Sequence, residues 1–203
     1  MKITAIEQMS HKPGMYRISV DTKPIGYVAA DDVFELGLGH GGDITSETYS
    51  KLLQRVKFNA FYASAIAYAD RRLRSVAEIE RYLKGRGCDL KMATVIAKKL
   101  VNSGLVDESK LAIAYVHDAA LLKPLSRNML ELKLRQKRID SDLIDASIQS
   151  AGYDDELALD KLVRLKQARY VGNQPRFFRY LLRQGFSYSA IAKRIGKPER
   201  PKT

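Results

Sequence analysis

The sequence predicts a mainly α-helical protein in which three tandem three-helix repeats form an elongated, curved solenoid behind a small β-rich N-terminal segment. Three observations predict this fold. Apolar pairs with helical spacing recur at steps of 51 and 48 residues, a basic turn follows each pair, and a second apolar helix follows each turn. Helical units of this size cannot bury an apolar face alone, so they stack on their neighbours and form a continuous core.

Residues 1–50 lack the repeat and favour strands. Runs that are β-branched, or that alternate apolar and polar residues, occupy 2–9, 15–20 and 25–30. The segment 21–24 joins the last two runs and has a turn-forming composition. We therefore predict a small antiparallel meander. A short helix that starts after Asp31-Asp32 and a longer helix that starts at Thr45 or Ser46 should then lead into the first repeat.

The repeat is clearest in three helices whose apolar residues lie four positions apart. These pairs are Ile79 and Leu83, Leu130 and Leu134, and Phe178 and Leu182. Ser75-Val76-Ala77-Glu78 has the form of a capping box, which fixes the start of the first of these helices. The run from Leu130 to Leu134 alternates apolar and charged residues, which is typical of a strand. Its counterparts are helical and its residues are good helix formers, so we predict a helix there as well.

A second helix follows each basic turn and carries another apolar pair. These pairs are Ile96 and Leu100, Ile144 and Ile148, and Ile191 and Ile195. Gly104 and Gly152 then mark helix ends 48 residues apart, each before an acidic helix start. Each unit is therefore predicted to be a three-helix module. We expect an N-terminal segment at 1–50 and modules at 51–106, 107–153 and 154–203, the last with a basic tail.

The composition places limits on the class of protein. The chain has 203 residues, of which 45% are hydrophobic, so it can bury a core. No apolar run approaches the roughly 20 residues needed to span a bilayer, and no signal-peptide core follows Met1. We therefore expect a cytoplasmic protein without a membrane partner. The single cysteine, Cys88, excludes an internal disulfide and a Cys-rich zinc site, and its place in a repeat turn indicates a small core residue.

The residues do not predict catalysis, a cofactor or a metal. The three histidines lie far apart in the sequence, without the carboxylate spacing of a zinc helix. The glycine-rich segment 37–42 lacks the Gly-Lys-Ser/Thr of a phosphate-binding loop and does not match a dinucleotide fingerprint. Most acidic residues lie at helix starts, where the helix dipole explains them. We therefore predict a binding protein rather than an enzyme.

Positive charge is the second strong signal. The net charge is +12, and it changes from −3 over residues 1–50 to +4 over 51–160 and +11 over 161–203. Two equivalent helices present arginines on one face, with Glu131 inside the first row: Arg127, Arg135 and Arg138, and then Arg176, Arg179 and Arg183. Matched rows on consecutive modules favour a polyanion ligand over a merely solvated helix face. Arginine suits phosphate or carboxylate because its planar fork donates two parallel hydrogen bonds.

These charges supply the candidate binding site. The residues that we expect to contact a polyanion, such as the phosphates of DNA, are Arg127, Lys133, Arg135, Lys137, Arg138, Lys161, Arg164, Arg169, Arg176, Arg179, Arg183, Lys193 and Arg194. Aromatic residues near the rows could stack on bases, namely Tyr82, Phe177, Phe178 and Tyr180. Several of them fall at the apolar helical spacing, which favours packing in the core.

The chain also resembles the family of regulatory protein RecX. The resemblance rests on four segments in a fixed order and spacing: Arg71–Ser75, Glu80–Gly87, Leu100–Glu108 and Leu132–Ile139. It covers nearly the whole chain, including the strand-rich N-terminal segment of longer members. The chain departs from the family pattern at Gly87-Cys88, where a larger apolar residue usually follows the glycine, and at Lys137-Arg138, where a glycine is usual.

The resemblance implies a non-catalytic modulator of the RecA recombinase, and hence a role in recombination, DNA repair and the SOS response. Members of the family lie along the groove of the RecA–DNA filament and suppress ATP hydrolysis, strand exchange and coprotease activity. We therefore expect a monomer that binds the filament and also contacts single-stranded or duplex DNA through phosphates. Two alternatives from other classes remain: a free-standing helical DNA-binding protein, and a basic adaptor for an acidic protein partner.

Overall fold

The computed structural model of the protein describes residues 1–197, and helices dominate it. Its strands are β1 (Ile3–Gln8), β2 (Met15–Val20) and β3 (Lys23–Ala29). Its α-helices are α1 (Ala30–Glu35), α2 (Ser46–Ala69), α3 (Val76–Gly85), α4 (Leu90–Asn102), α5 (Glu108–Leu121), α6 (Arg127–Gln136), α7 (Ser141–Ser150), α8 (Asp155–Lys166), α9 (Gln174–Arg183) and α10 (Tyr188–Ile195). The predicted class, mainly α with a small β-rich N-terminal segment, is confirmed. Most of the predicted basic tail, 198–203, lies outside the described residues.

The described chain forms two compact units. The first holds Met1–Arg72 and Ile79–Leu105, and the second holds Leu73–Glu78 and the described residues from Val106 onward. The division falls inside α3, because the first turn of that helix packs with the elements that follow it in sequence. The three-module division expected from the repeat remains a prediction.

The N-terminal sheet is the predicted antiparallel meander, with the strand order β1-β2-β3. The turn between β2 and β3 is shorter than the predicted 21–24, because Val20 already pairs with Lys23. Only Asp21 and Thr22 form the turn, and both have positive φ, at 45° and 69°. Two residues of positive φ make a turn whose twist matches that of a hairpin.

The core of the first unit joins the sheet to α2. Ile3, Ile18 and Val28 from the strands pack with Leu52 from α2, and all four are fully buried. The predicted start of α2 is confirmed at Thr45, whose hydroxyl accepts a hydrogen bond from the Thr48 amide at 3.1 Å. The sheet is thereby fixed against the longest helix of the described chain.

The predicted capping box at the start of α3 is confirmed. The Ser75 hydroxyl accepts from the Glu78 amide at 3.2 Å, and the Glu78 carboxylate accepts from the Ser75 amide at 3.1 Å. The strand-like pattern from Leu130 to Leu134 is helical, as predicted, and both leucines are fully buried in α6. Helix propensity and packing therefore outweigh the period-two pattern at this position.

The third repeat has a different register from the predicted one. The N-caps of α6 and α9 are Ser126 and Asn173, which are 47 residues apart rather than 48. The counterparts of Leu130 and Leu134 are consequently Phe177 and Leu181, both buried at 5% and 0% exposure. The predicted partner Leu182 is 39% exposed, so its place in the buried pair was wrong. One residue turns a helix by about 100°, which is enough to move a side chain out of the core.

The second helices of the repeats also need a corrected register. Their N-caps are Asp89, Asp140 and Ser187, and the fourth residue after each cap is buried: Ala93, Ile144 and Ile191. Ile144 is therefore the counterpart of Ala93 and not of Ile96. Helix α7 has 10 residues and α4 has 13. Because α7 is three residues shorter, the distance between equivalent positions falls from 51 residues at the N-caps to 48 at Gly104 and Gly152, which follow the helices.

Candidate nucleic-acid interface

Helix α9 presents a face of exposed arginines. Arg176, Arg179 and Arg183 are exposed, while Phe177, Phe178 and Leu181 on the other side of the helix are buried with residues of α8 and α10. The helix contains no acidic residue. Among residues 1–197, no carboxylate lies within 4.0 Å of any of the three guanidinium groups. We call these three arginines the α9 row. Its charge is not neutralised within the described chain.

Arg169 and Arg164 are two further exposed candidate residues outside this helix. Burial raises the pKa of the Tyr180 phenol and Tyr170 raises it further, whereas the cations of Arg169 and Arg183 oppose the rise. Arg169 lies on the turn that precedes α9, close enough to Tyr180 for its charge to affect the phenol. Arg164 is also exposed, and no carboxylate in the described part of the chain pairs with it.

The equivalent row on α6 is partly neutralised. Arg127 Nε donates to Glu131 Oε1 at 3.1 Å, and Arg135 Nη2 donates to Glu131 Oε2 at 3.1 Å. The two arginines thus hold one carboxylate between them, one helical turn on either side. Arg127 also lies 3.9 Å from a carboxylate oxygen of Asp145. The matched rows of the sequence therefore differ in free charge.

Arg138 does not lie on the face predicted for it. Helix α6 ends at Gln136, and Arg138 follows in the left-handed region with φ of 57°. Its counterparts by the cap spacing are Gly87 and Gly185, with φ of 85° and 89°. The missing glycine noted in the sequence is thus a position where the backbone turns in the way that glycine favours.

Four other candidate residues have partners inside the protein. Lys137 Nζ lies 3.1 Å from Glu78, and its side chain is only 21% exposed. Lys161 Nζ donates to the Ala120 carbonyl at 3.0 Å. Arg194 pairs with Asp160, and Lys193 lies 4.0 Å from Glu156. The structure brings Lys133 into a groove beside α5, α8 and α9 rather than among the arginines.

The aromatic candidates mostly pack inside the protein. Phe177 and Phe178 are buried, at 5% and 2% exposure, as the apolar spacing predicted. Tyr180 is half-buried, with its ring 5.5 Å from that of Tyr170. The ring of Tyr82 stacks on Tyr68 at 4.0 Å. These rings are engaged with one another, so the arginines are the better candidates for contact with a polyanion.

The structure contains a cation–aromatic cluster that the sequence did not predict. The Lys99 ammonium lies 4.7 Å from the ring centre of Tyr62 and 5.7 Å from that of Phe58. These residues lie on α4 and α2, about forty positions apart in the sequence, so no local spacing could join them. The contact stabilises packing within the first unit.

Residues 1–197 contain no group of three His, Cys, Asp or Glu side chains that could hold a metal ion. Cys88 is 5% exposed and packs as a small core residue, as predicted, and burial raises the pKa of its thiol. A buried thiol of raised pKa is a poor nucleophile. In the part of the chain that the structure describes, no helix has both the length and the apolar character to cross a membrane.

Comparisons with known proteins agree with the resemblance found in the sequence. A family model described as "RecX, second three-helix domain" matches residues 107–148, which include α5 and α6 and most of α7. The regulatory protein RecX of Finegoldia magna is 25% identical over 196 residues, which cover 93% of this chain and 95% of that protein. The regulatory protein RecX of Streptococcus gordonii is 24% identical over 195 residues, covering 93% of this chain and 74% of that protein.

Solved structures share the fold. A crystal structure of regulatory protein RecX aligns with a TM-score of 0.72 and 22% identity, covering 96% of this chain and 98% of the other. The crystal structure of RecX from Lactobacillus salivarius aligns with a TM-score of 0.52 and 25% identity, covering 67% and 92% respectively. The fold is therefore shared at sequence identities of 22% and 25%.

Proposed function

We propose that this chain is a member of the RecX family and a non-catalytic regulator of a RecA recombinase. It binds the recombinase filament on DNA along the filament groove and lowers ATP hydrolysis, strand exchange and coprotease activity. The observation that carries the proposal is the similarity to regulatory proteins RecX over nearly the whole chain. The un-neutralised α9 row supports the part of the proposal that concerns DNA.

In this proposal, the α9 row contacts DNA phosphates in the filament. Arg176, Arg179 and Arg183 are exposed and lack carboxylate partners among the described residues, so they bind phosphate without first breaking an internal ion pair. Arg127 and Arg135 already form ion pairs with Glu131, so their charge is partly neutralised. We therefore assign them a smaller contribution to DNA binding. The contacts are to the phosphate backbone and therefore carry no sequence preference.

The first experiment titrates the purified protein into RecA filaments assembled on single-stranded DNA and follows DNA-dependent ATP hydrolysis. We expect the rate to fall at substoichiometric to equimolar amounts of the protein. An unchanged rate at a large excess, with folded protein shown by circular dichroism, would contradict the proposal.

A second experiment tests the α9 row in the same assay. Replacement of Arg176, Arg179 and Arg183 together by alanine should weaken inhibition about tenfold or more at physiological salt, since charge-assisted phosphate contacts are lost. The matched control replaces Lys57, Lys91 and Lys98 by alanine. These lysines are exposed and lie outside the candidate site, and their replacement removes the same amount of positive charge as the arginine variant. Equal loss in both variants would mean that net charge alone matters.

Binding to bare DNA, to free recombinase and to the filament should be measured separately. We expect weak binding to bare DNA that falls steeply between about 50 and 200 mM salt, as counterion release requires. Sequence-selective, salt-insensitive binding to bare duplex would favour a free-standing DNA-binding protein. Binding to free recombinase with no contribution from DNA would favour a basic adaptor.

A further inference from the structure

A groove in the second unit lies outside the α9 row and has a different chemistry. It has a volume of about 480 Å³ and runs between the end of α5, α6, α8 and α9. We call it the lysine groove, after the three lysines that line it: Lys123, Lys133 and Lys166. Its volume is in the range of about 300 to 1,000 Å³ that is typical of small ligand clefts.

The lysines converge from separate parts of the chain. Lys123 follows α5, Lys133 lies on α6, and Lys166 ends α8. Asp118 is the one acidic residue among the lining residues, so the lining has a net charge of +2. In the chain up to residue 197, no carboxylate lies within 4.0 Å of any of the three ammonium groups. The groove therefore holds positive charge that the protein itself does not neutralise.

Apolar side chains at the groove remain in contact with solvent. Leu122 is 67% exposed and Leu165 is 54% exposed, although both are lining residues. Beneath them, Leu125 and Leu162 are buried and provide an apolar floor. Exposed leucines next to a concave apolar surface mark a place where a partner can remove apolar area from water.

The walls of the groove are fixed by hydrogen bonds. Lys161 Nζ donates to the Ala120 carbonyl at 3.0 Å, which ties α8 to the end of α5. Tyr153 donates its hydroxyl hydrogen to the Leu125 carbonyl at 2.8 Å, which holds the segment between α5 and α6. A site whose walls are already ordered loses little conformational entropy when a ligand binds.

The chemistry of the lining favours a peptide over a nucleic acid. No arginine lines the groove, so it lacks the bidentate donors that suit phosphate. The ring of Tyr180 already stacks with Phe177 and Tyr170, at 6.4 and 5.5 Å between ring centres. The groove instead combines exposed leucines with lysine ammonium groups. This combination is complementary to a peptide in which aliphatic or aromatic side chains alternate with carboxylates.

We propose that the lysine groove binds an acidic peptide segment that carries apolar anchor side chains, supplied by a partner protein. The anchors contact Leu122 and Leu165, and the carboxylates contact Lys123, Lys133 and Lys166. This inference stands on the groove alone, and it holds whichever protein supplies the segment.

The test uses the full-length protein and a short fluorescent peptide in which Asp and Glu alternate with Leu and Phe. Fluorescence anisotropy should show saturable binding that weakens as salt is raised, since the charge contacts are at the surface. A peptide with Ser in place of Leu and Phe, and a peptide with Lys in place of the acids, should each bind at least about tenfold more weakly, because each lacks one half of the complementarity.

Two variants connect binding to the groove. The variant Lys123→Glu/Lys133→Glu/Lys166→Glu should lower the affinity for the acidic peptide by about tenfold or more, because like charges then face each other. The variant Leu122→Ser/Leu165→Ser should lower the affinity while leaving the charges in place. Both leucines are exposed, so their replacement leaves the buried core unchanged. The control Lys57→Glu/Lys91→Glu/Lys98→Glu has the same charge but leaves the groove intact, and its affinity should change less than about twofold.

Three results would overturn the inference. One is no saturable peptide binding by protein that circular dichroism shows to be folded. Another is an equal loss of affinity in the groove and control variants. The third is tight binding of a thymidine oligonucleotide that is lost in the groove variants while the acidic peptide does not bind, which would make the groove a nucleic-acid site. No recombinase is present in this assay, so its failure leaves the proposed function untouched.

Discussion

The backbone amide of Arg127 donates to Oδ1 of Asp155 at 2.6 Å, so the first residue of α6 is held by the first residue of α8. The same relationship occurs one repeat earlier, where the first residues of α3 and α5 meet: the Val76 amide donates to Oε1 of Glu108 at 2.9 Å. Each carboxylate satisfies an amide that has no partner within its own helix and adds negative charge at the positive helix end. The acidic residues at the helix starts therefore also join helices that are distant in sequence.

The first prediction concerns this junction. Asp155→Ala should lower the free energy of unfolding by about 1 to 2 kcal/mol, as the loss of a charged helix-start contact does. Urea denaturation measures the change. Glu156→Ala is the control, because Glu156 is exposed and its closest cation, on Lys193, is 4.0 Å away. That change should stay within about 0.5 kcal/mol. Equal effects in the two variants would contradict a specific role for Asp155.

The second prediction concerns Arg138, which adopts φ of 57° at a turn where two other repeats have glycine. Arg138→Gly should raise the free energy of unfolding by about 1 kcal/mol, because glycine adopts a left-handed conformation without the steric cost of a Cβ. Lys133→Gly, within α6, should lower it by about the same amount through helix propensity. Thermal denaturation compares the two. A loss of stability in Arg138→Gly would mean that the contacts of the arginine outweigh its backbone strain.

The third prediction separates backbone strain from close packing. Gly87 and Gly185 have nearly the same φ, at 85° and 89°. A Cβ at Gly87 would meet nothing within 4 Å, whereas one at Gly185 would lie 2.8 Å from Met129 Cβ and closer still to Ser126 Oγ. Gly87→Ala should therefore cost about 1 kcal/mol, and Gly185→Ala should cost a further 1 to 3 kcal/mol or so. Chemical denaturation of both variants gives the difference, and equal costs would show that α6 yields to the added methyl group.

The fourth prediction tests the corrected register of α9. Leu181 is fully buried and Leu182 is 39% exposed, although they are adjacent and chemically identical. Leu181→Ala should lower the free energy of unfolding by about 2 to 5 kcal/mol through the cavity that it leaves. Leu182→Ala should cost about 1 kcal/mol or less, since little buried area is lost. Denaturation midpoints in the reverse order would restore the register predicted from the apolar pairs.

Local signals in the sequence were sufficient to predict most helix starts. The capping box joins Ser75 and Glu78, and the Thr45 hydroxyl caps α2 through the Thr48 amide. These hydrogen bonds connect residues only three positions apart, so the local sequence is enough to predict them. The strand-rich N-terminal segment was likewise predictable from its alternating pattern. The elongated shape and the three module boundaries remain predictions, because they depend on how the units are arranged.

The ion pairs of the charged residues could not be predicted from the sequence. The sequence predicts a row of arginines on each of two equivalent helices, yet Glu131 is held between Arg127 and Arg135 on α6, and the α9 row has no acidic residue on its own helix. Side-chain spacing identifies residues that share a helix face. It does not identify which charges remain available after the helices have packed.

The sequence by itself determined the helices, their caps and the accumulation of positive charge, because these depend on residues within one or two helical turns. The tertiary structure alone decided that Leu181 rather than Leu182 enters the core, and that Lys123, Lys133 and Lys166 line one groove. Adjacent leucines have the same propensity and hydrophobicity, so only the position of the neighbouring helices selects between them. Lysines on three separate elements come together only when those elements pack, and no local pattern records that packing.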